Sequence, residues 1–350
     1  MTGIPSSPES FDRPWLEEVL GGPPDSLRGF EYSAIGTGQI ADSYRVELDW
    51  IEASDRLPAS LVAKCASPDE TSLASARLLG LYTKEVNWYR ELAAESSVRA
   101  PRCYHSALNP EGDQFILLLE DCSPGEQGDQ LAGATEPDVL AALDEAARLH
   151  APLTGRPELE TREWLRIDPE AAAMRKGFIG QFWPDFRERY RDRLAPELFE
   201  MGDAFIERLL RTDDIPELVS VAHGDFRIDN MLFGANGGRV VILDWQTVYP
   251  GHPLCDVSYL IGTSIADPDE RRAKEEAWVG HYCEQMAALG TPIPWNEAWT
   301  AYRRYASAGF LMAITASMLA KRTERGDEMF AVMAERPARQ MIDLDTLSLY

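Results

Sequence analysis

Cysteine and histidine are scarce in this sequence, and neither is arranged as in a disulfide framework or a metal site. Five cysteines and five histidines are spread over 350 residues. The cysteines are odd in number and form no CxxC pair, and His105, His252 and His281 have no partner at metal-ligand spacing. A disulfide-rich extracellular protein and a zinc protein are therefore disfavoured. This cysteine usage suits a reducing compartment, so we expect a cytoplasmic protein.

Long apolar runs are missing as well. The longest stretch without a charged residue, Tyr305–Ala320, has 16 residues, whereas a helix that crosses a bilayer needs about 20 mostly apolar residues. We interpret this stretch as a buried helix. The N-terminal segment MTGIPSSPESFDRPW has neither the basic nor the apolar region of a signal peptide. We therefore expect no membrane span.

Basic residues are outnumbered by acidic ones. The chain has 34 Lys and Arg against 58 Asp and Glu, a formal net charge of -24. A protein with this charge is repelled by nucleic acid and by anionic membrane surfaces, so we expect no nucleic-acid partner. The acidic excess suits a cationic substrate without indicating one. The sequence carries no signal of an oligomeric state.

The character of the sequence changes along the chain and divides it into three segments. Residues 1–29 are punctuated by Pro and Gly and are interpreted as a lead-in. Residues 30–120 are rich in strand patterns, with one helix predicted over 76–94. Residues 121–350 are predicted to be mainly helical. One helix is expected to start near Thr135, and further helices are expected near 168–192, 195–212, 270–289 and 296–322. A sheet segment followed by a helical segment indicates the α+β class.

Chemistry is concentrated in two short motifs of the second half. The first is HGDFRIDN, which places Asp225 five residues before Asn230, and the second is VILDW, which ends an apolar run with Asp244. Phosphoryl transfer needs a carboxylate that accepts the proton of the attacking hydroxyl, and oxygen ligands for Mg²⁺. Asp225 fits the first task, and Asn230 and Asp244 fit the second. Each fragment alone is also compatible with an ordinary turn or strand end, and Asp229 is an alternative base.

The motif HGDxxxxN followed by ILDW resembles the aminoglycoside phosphotransferase and choline kinase-like family, whose members are relatives of protein kinases. The segments FRIDNMLF and GHPLCDVSYL look closer to the ecdysteroid-kinase-like and acyl-CoA dehydrogenase-associated branches. The resemblance covers residues 30–320. It implies a protein-kinase-like fold with two lobes, a small N-terminal β-sheet lobe with one helix and a larger, mainly helical C-terminal lobe. It also implies Asp225 as catalytic base, Asn230 and Asp244 as Mg²⁺ ligands, and a supporting role for Asp256.

Upstream residues supply candidates for nucleotide binding. Gly36 and Gly38 precede a strand that contains Ser43, and glycines allow backbone N–H groups to approach phosphates closely. A glycine hairpin turn is the alternative. Lys64 ends the run SLVAK and can reach the α- and β-phosphates if a glutamate holds it. Glu85 is the expected partner, and a solvated lysine is the alternative.

Two further groups of candidates lie near these motifs. FILLLEDC resembles the linker between the lobes of kinases, so backbone groups near Glu120, Asp121 and Cys122 would hold the adenine. Arg227, two residues after Asp225, would contact phosphate or an anionic substrate. A salt bridge that holds the loop is the alternative for Arg227.

The spacing after Asp244 indicates the kind of acceptor. Eleven residues separate Asp244 from Asp256, which leaves no room for the activation segment by which protein kinases bind peptides. We therefore predict an ATP-dependent phosphotransferase that acts on a small-molecule hydroxyl by direct in-line transfer. An aminoglycoside and a hydroxylated lipid, sterol-like compound or hydroxyacyl thioester remain open as acceptors, with the second group slightly favoured. The choice between ATP and GTP also stays open. A catalytically silent nucleotide-binding scaffold is the competing interpretation.

Overall fold

The chain folds into two structural units. A computed structural model describes residues 4–36, 40–52, 54–166, 169–212, 218–320 and 322–350. The first unit comprises residues 1–94, 100–124 and 244–246, and the second comprises 95–99, 125–243 and 247–350. The first is built on an antiparallel sheet and the second is mostly helical, so the predicted α+β, protein-kinase-like fold class is confirmed.

A five-stranded antiparallel sheet forms the centre of the first unit. Its strands lie in the order β1-β2-β3-β5-β4. They are β1 (Leu27–Ile35), β2 (Ala41–Trp50), β3 (Ser60–Ala66), β4 (Cys103–Leu108) and β5 (Phe115–Glu120). The hairpin of β1 and β2 joins through the predicted glycine segment, of which Gly38 lies outside the described residues.

The central strand β3 directs its side chains alternately to two faces, as the period of two in an extended chain requires. Leu61, Ala63 and Cys65 are buried in the core on one face. Val62 and Ala66 pack on the opposite face, against the cluster formed by the helices of this unit. Lys64 has the same parity as Val62 and Ala66, so its side chain leaves the sheet on the helical side.

The helices of the first unit differ from the single predicted one. They are α1 (Arg13–Leu20), α2 (Glu70–Leu79) and α3 (Leu81–Asn87), followed by a π-helical turn at Trp88–Leu92. The helix predicted over 76–94 begins earlier and is divided at Gly80, whose φ of 63° is left-handed and ends α2. Glycine adopts this conformation without the steric cost that other residues pay.

The segment before residue 30 is part of the first unit rather than a lead-in. Phe11, Leu16 and Leu27 are buried in its core together with side chains of the sheet. Asp12 caps the N-terminus of α1 by accepting a hydrogen bond from the Trp15 backbone N–H. Residues 4–29 therefore contribute to the stability of the sheet.

The second unit contains eight helices within the described residues. They are α4 (Glu136–His150), α5 (Pro169–Tyr190), α6 (Pro196–Leu209), α7 (Leu254–Ser264), α8 (Pro268–Ala288), α9 (Trp295–Tyr305), α10 (Ser307–Leu319) and α11 (Glu324–Asp343). The helix predicted over 296–322 is divided near Ala306 into α9 and α10. None of the helices in the described part of the chain is both long and apolar enough to cross a membrane.

Short strands and one fully buried helix determine where the loops of this unit lie. The strands are β6 (Glu126–Gln127), β7 (Ser220–Ala222), β8 (Met231–Phe233), β9 (Val241–Ile242) and β10 (Tyr249–Gly251). The loop between β7 and β8 carries the HGDFRIDN motif. Every residue of α7 is buried, and α7 packs against α4, α8, α9, α10 and α11. It is the central helix of the second unit.

Candidate active site

Lys64 is held between two carboxylates. Its Nζ lies 2.7 Å from Glu85 Oε1 and 2.7 Å from Asp244 Oδ1. Glu85 projects from α3, which packs on the side of the sheet to which Lys64 points, and Asp244 follows β9 in sequence but belongs to the first unit. The structure thus brings together Lys64 and Glu85, the pair expected from the sequence, and adds Asp244 to them.

The two carboxylates stabilise the positive charge of Lys64. Burial alone would lower the pKa of Lys64, but the adjacent Asp244 and Glu85 raise it above its ordinary value. Burial raises the pKa of Glu85 to about 6, although Lys64 opposes this rise. Since the ammonium group stays charged and has two fixed acceptors, its position is determined before any ligand binds.

The backbone at Asp244 is unusual, and its neighbours fix it. Its φ of 64° is left-handed, a conformation that Asp tolerates better than most residues. Gln246 Nε2 donates to Asp244 Oδ2 over 3.1 Å. The Trp245 ring stacks on that of Trp88, with centroids 3.8 Å apart and an angle of 7° between the planes. The stack joins the Asp244 turn to the chain that follows α3.

Asp225 is surrounded by three donors within the second unit. Tyr259 Oη donates to Asp225 Oδ1 over 2.5 Å, and Asn230 Nδ2 donates to Oδ2 over 2.8 Å. Arg227 Nε lies 3.1 Å from Oδ1. Burial would raise the pKa of Asp225, but the Arg227 charge and the Tyr259 hydrogen bond hold it below its usual value. Asp225 is therefore an ionised carboxylate at neutral pH, as a general base must be.

Arg227 bridges two carboxylates of its own loop. Besides its contact with Asp225, its Nη1 lies 2.5 Å from Asp229 Oδ2. Burial would lower the pKa of Arg227, but Asp225, Tyr259 and Asp229 outweigh this effect and hold the pKa above its ordinary value. Asp229 also accepts a hydrogen bond from the Gln130 backbone N–H over 2.8 Å. Of the two expected roles of Arg227, the structure shows the salt bridge that holds the loop.

The amide of Asn230 is oriented by the same loop. Its Nδ2 donates to the carboxylate of Asp225 and, over 2.9 Å, to the backbone carbonyl of that residue. Both of these hydrogen bonds use the amide nitrogen, so neither of them involves the amide oxygen, which is the atom able to bind a metal. The Leu243 backbone N–H donates to the Asn230 carbonyl over 2.8 Å. This bond ties the Asn230 backbone to the residue before Asp244.

Asp256 supports the loop from α7. Its carboxylate accepts hydrogen bonds from the backbone N–H groups of His223 and Gly224, over 2.6 Å and 3.0 Å. His150 Nε2 lies 3.1 Å from the same carboxylate, and Tyr282 Oη lies 2.8 Å from His150 Nδ1. All of these side chains are buried. The geometry agrees with the supporting role implied for Asp256 and shows that His150 takes part in it.

Replacing Gly224 with Ala is expected to destabilise the protein by more than about 2 kcal/mol. Gly224 has a φ of +83°, and a Cβ at this position would lie 2.6 Å from the Thr247 carbonyl oxygen. Gly234→Ala is the matched control, because Gly234 has a φ of +68° and nothing in the described structure lies within 4 Å of its Cβ position. Urea unfolding should show the larger loss for Gly224→Ala. Equal losses would mean that the close approach to Thr247 is unimportant.

The candidate nucleotide residues of the first unit lie near Lys64 or in the glycine turn. Gly36 has a left-handed φ of 71°, so it meets the backbone requirement of that turn. Ser43 on β2 is paired in register with Lys64 on β3. Both Ser43 and Lys64 are therefore on neighbouring strands at the same level of the sheet.

The side chains at the end of β5 are engaged in local contacts. Asp121 accepts hydrogen bonds from the hydroxyls of Ser60 and Ser123, over 2.9 Å and 2.7 Å. Glu120 Oε2 accepts a hydrogen bond from the Arg102 backbone N–H over 3.0 Å. Cys122 is buried. These contacts are compatible with a role for this segment through its backbone groups.

Comparison with known proteins gives a family match over most of the chain. The phosphotransferase enzyme family matches residues 31–289. Acyl-CoA dehydrogenase family member 11 of Gallus gallus is 40% identical over 167 residues, which are 46% of this chain and 20% of that protein. The chain thus covers about a fifth of the length of this relative.

Solved structures share the fold at low identity. The microcompartment-associated aminopropanol kinase has a TM-score of 0.55 and 14% identity, with 97% of this chain and 100% of that chain covered. The GDP complex of wild-type aminoglycoside 2'-phosphotransferase-IIIa has a TM-score of 0.54 and 13% identity, with 90% and 94% covered. The chain belongs to the phosphotransferase enzyme family, as its sequence predicts.

Proposed function

We propose that the protein transfers the γ-phosphoryl group of MgATP to a hydroxyl of a small molecule by direct in-line attack, with Asp225 as the base. The observation that carries this proposal is the position of Lys64 between Glu85 and Asp244, at 2.7 Å from each. Kinase chemistry requires a strand lysine held by a helix glutamate, and a metal-binding aspartate. A catalytically silent scaffold would not need these three charged groups, so their presence disfavours that alternative.

The reaction uses Asp225 for the attacking group. The acceptor oxygen attacks the γ-phosphorus, the bond to the β–γ bridging oxygen breaks, and ADP leaves. The hydroxyl proton passes to the Asp225 carboxylate, which is ionised at neutral pH because Arg227 and Tyr259 lower its pKa. No phosphorylated enzyme forms. Asp225 also orients the acceptor, and such positioning supplies much of the catalysis in phosphoryl transfer.

The nucleotide would be held mainly by groups of the first unit. Lys64 would bind the α- and β-phosphates, and the glycine turn with Gly36 and Gly38 would approach them through backbone N–H groups. Ser43, on the strand after this turn, would lie close to the same phosphates. The adenine would contact backbone groups near Glu120, Asp121 and Cys122.

Asn230 and Asp244 fit the requirements of Mg²⁺. Both offer oxygen atoms, and Mg²⁺ in kinases takes one or two such protein ligands together with phosphates and water. Asn230 has its amide nitrogen committed to Asp225, and Asp244 keeps both oxygens in fixed positions through Lys64 and Gln246. When bound, Mg²⁺ neutralises negative charge that develops on the phosphates.

We favour a hydroxylated lipid or hydroxyacyl compound as acceptor over an aminoglycoside. Helix α5 carries Phe178 and Phe182, which are half-buried and stacked with centroids 5.9 Å apart, and Met174, which is 55% exposed. Such a surface suits an apolar molecule. The partial similarity to a protein named as an acyl-CoA dehydrogenase points in the same direction. The net charge of -24 leaves a cationic acceptor as the second candidate.

Thermal-shift measurements with ATP, ADP and GTP, each with and without Mg²⁺, test the nucleotide site first. We expect a rise in melting temperature that depends on Mg²⁺. Consumption of ATP should then be measured with a hydroxylated fatty acid, its CoA thioester, an amino alcohol and an aminoglycoside. Stabilisation by MgATP and a phosphorylated fatty acid or thioester would support the proposal. No shift with any nucleotide would make the silent scaffold the better interpretation.

A further inference from the structure

The hydroxyl of Tyr259 makes the shortest hydrogen bond to Asp225. Tyr259 lies on α7 with 3% of its surface exposed, and its Oη is 2.5 Å from Asp225 Oδ1. It is 34 residues from Asp225 in the sequence and lies outside the HGDFRIDN motif. Its contact is with a carboxylate oxygen of the proposed base, so it bears directly on how that base is presented.

The donors around Asp225 are distributed unequally over its two oxygens. Oδ1 receives Tyr259 Oη at 2.5 Å and Arg227 Nε at 3.1 Å. Oδ2 receives Asn230 Nδ2 at 2.8 Å and the same Arg227 nitrogen at the longer distance of 3.3 Å. An ionised carboxylate has about two lone-pair sites on each oxygen. Arg227 Nε carries a single hydrogen and lies nearer to Oδ1, so Oδ1 has two donors, whereas Oδ2 has one close donor and the longer part of the shared contact. Oδ2 is therefore the better acceptor for a further hydroxyl.

We propose that Tyr259 is a positioning residue that occupies Asp225 Oδ1 and so presents Oδ2 as the oxygen that takes the proton of the acceptor. This inference rests on the proposed role of Asp225 as base. Tyr259 does not contact the acceptor in this scheme. It fixes the rotation of the carboxylate and keeps its charge directed at one position.

The surroundings of Tyr259 suit a fixed support rather than a group that moves aside. All residues of α7 are buried, and Asp256, one turn before Tyr259, binds the backbone N–H groups of His223 and Gly224. Helix α7 thus contacts the loop between β7 and β8 twice. Asp256 binds the backbone N–H groups of His223 and Gly224, and Tyr259 binds the side chain of Asp225. A tyrosine in such a helix has little freedom to leave its partner.

Tyr259→Phe tests this inference, with Tyr302→Phe as the matched control. Tyr302 is also fully buried and donates its hydroxyl to a carboxylate, Glu275 Oε2, over 2.7 Å. Turnover should be measured as release of phosphate from MgATP with water as the acceptor. We expect Tyr259→Phe to lower kcat at least about 10-fold and to leave KM for ATP unchanged. Tyr302→Phe should lower the melting temperature without this effect on kcat.

The Asp225→Asn variant separates this inference from the proposed function. An unchanged kcat in Tyr259→Phe beside an inactive Asp225→Asn variant would overturn the role of Tyr259 while leaving Asp225 as the base. An active Asp225→Asn variant would instead overturn the proposed function on which the inference rests.

Discussion

Asp225→Asn is expected to abolish turnover while MgATP binding stays nearly intact. The amide cannot accept the proton of the acceptor, and loss of a general base lowers the rate by about 10²- to 10⁴-fold. Nucleotide binding should persist because Lys64, Glu85 and Asp244 are unchanged and form their own ion-paired group. Steady-state turnover and calorimetric titration with MgATP measure the two effects separately.

Asp229→Asn is the control for this variant. It makes the same isosteric change on the same loop, and it also removes a carboxylate that pairs with Arg227. We expect a much smaller loss of turnover, because Asp229 is occupied by Arg227 and the Gln130 backbone. A dead Asp229 variant beside an active Asp225 variant would exchange the roles of the two acids. Equal loss of binding and turnover in Asp225→Asn would contradict a role confined to the acceptor.

Asp244→Asn is expected to weaken MgATP binding itself, by at least about 10- to 100-fold, the range seen when the surroundings of a metal ligand are altered. Asn is preferred to Ala because residue 244 has a left-handed φ of 64°, which Asn adopts more readily. At a ligand concentration 100 times Kd, the wild type should gain about 2.7 kcal/mol of stability from MgATP. Most of this gain should disappear in the variant, as measured by thermal shift with and without Mg²⁺.

Asp49→Asn is a suitable control for the loss of one negative charge. Asp49 lies on β2 in the same unit, and its side chain is 62% exposed in a surface ion pair with Arg28. The control should bind MgATP as the wild type does. If Asp244→Asn also bound MgATP normally, Asp244 would not be a metal ligand, and its contact with Lys64 would be structural.

Much of the first unit could be predicted from local sequence. The short apolar run SLVAK predicts a strand and is β3, and the structure places Lys64 on the face opposite Leu61, Ala63 and Cys65. The apolar run at Phe115–Glu120 was predicted as a buried strand and is β5. Short apolar runs bounded by polar residues can be recognised without knowledge of the tertiary contacts.

The divisions of the helices were not predicted, and each has a local cause that competes with periodicity. The apolar spacing continues across Gly80, so the pattern gave one helix where the left-handed glycine ends one and a second begins. Helix α1 is short and lies among prolines and glycines, and the burial of Leu16 that stabilises it depends on the sheet.

The candidate site was predictable where its residues share a motif. Asp225, Asn230 and Asp244 were found from their spacing, and Lys64 and Glu85 from the elements that carry them. Tyr259 and the pair of Trp88 and Trp245 gave no such signal, because each acts through a partner far away in the sequence. Residues that belong to one motif can be recognised from the local sequence. Residues that support them through tertiary contacts can be recognised only once the packing of the chain is known.

The bonds between Asp256 and the backbone of the loop between β7 and β8 have a consequence for hydrogen exchange. The amide protons of His223 and Gly224 are donated to a carboxylate that is 1% exposed on the buried helix α7. They can exchange with solvent only when that helix separates from the loop, so their protection should match that of the helical core rather than that of a surface loop. The loop and the helix would then open as one cooperative unit, and the acceptor would meet a base already in place.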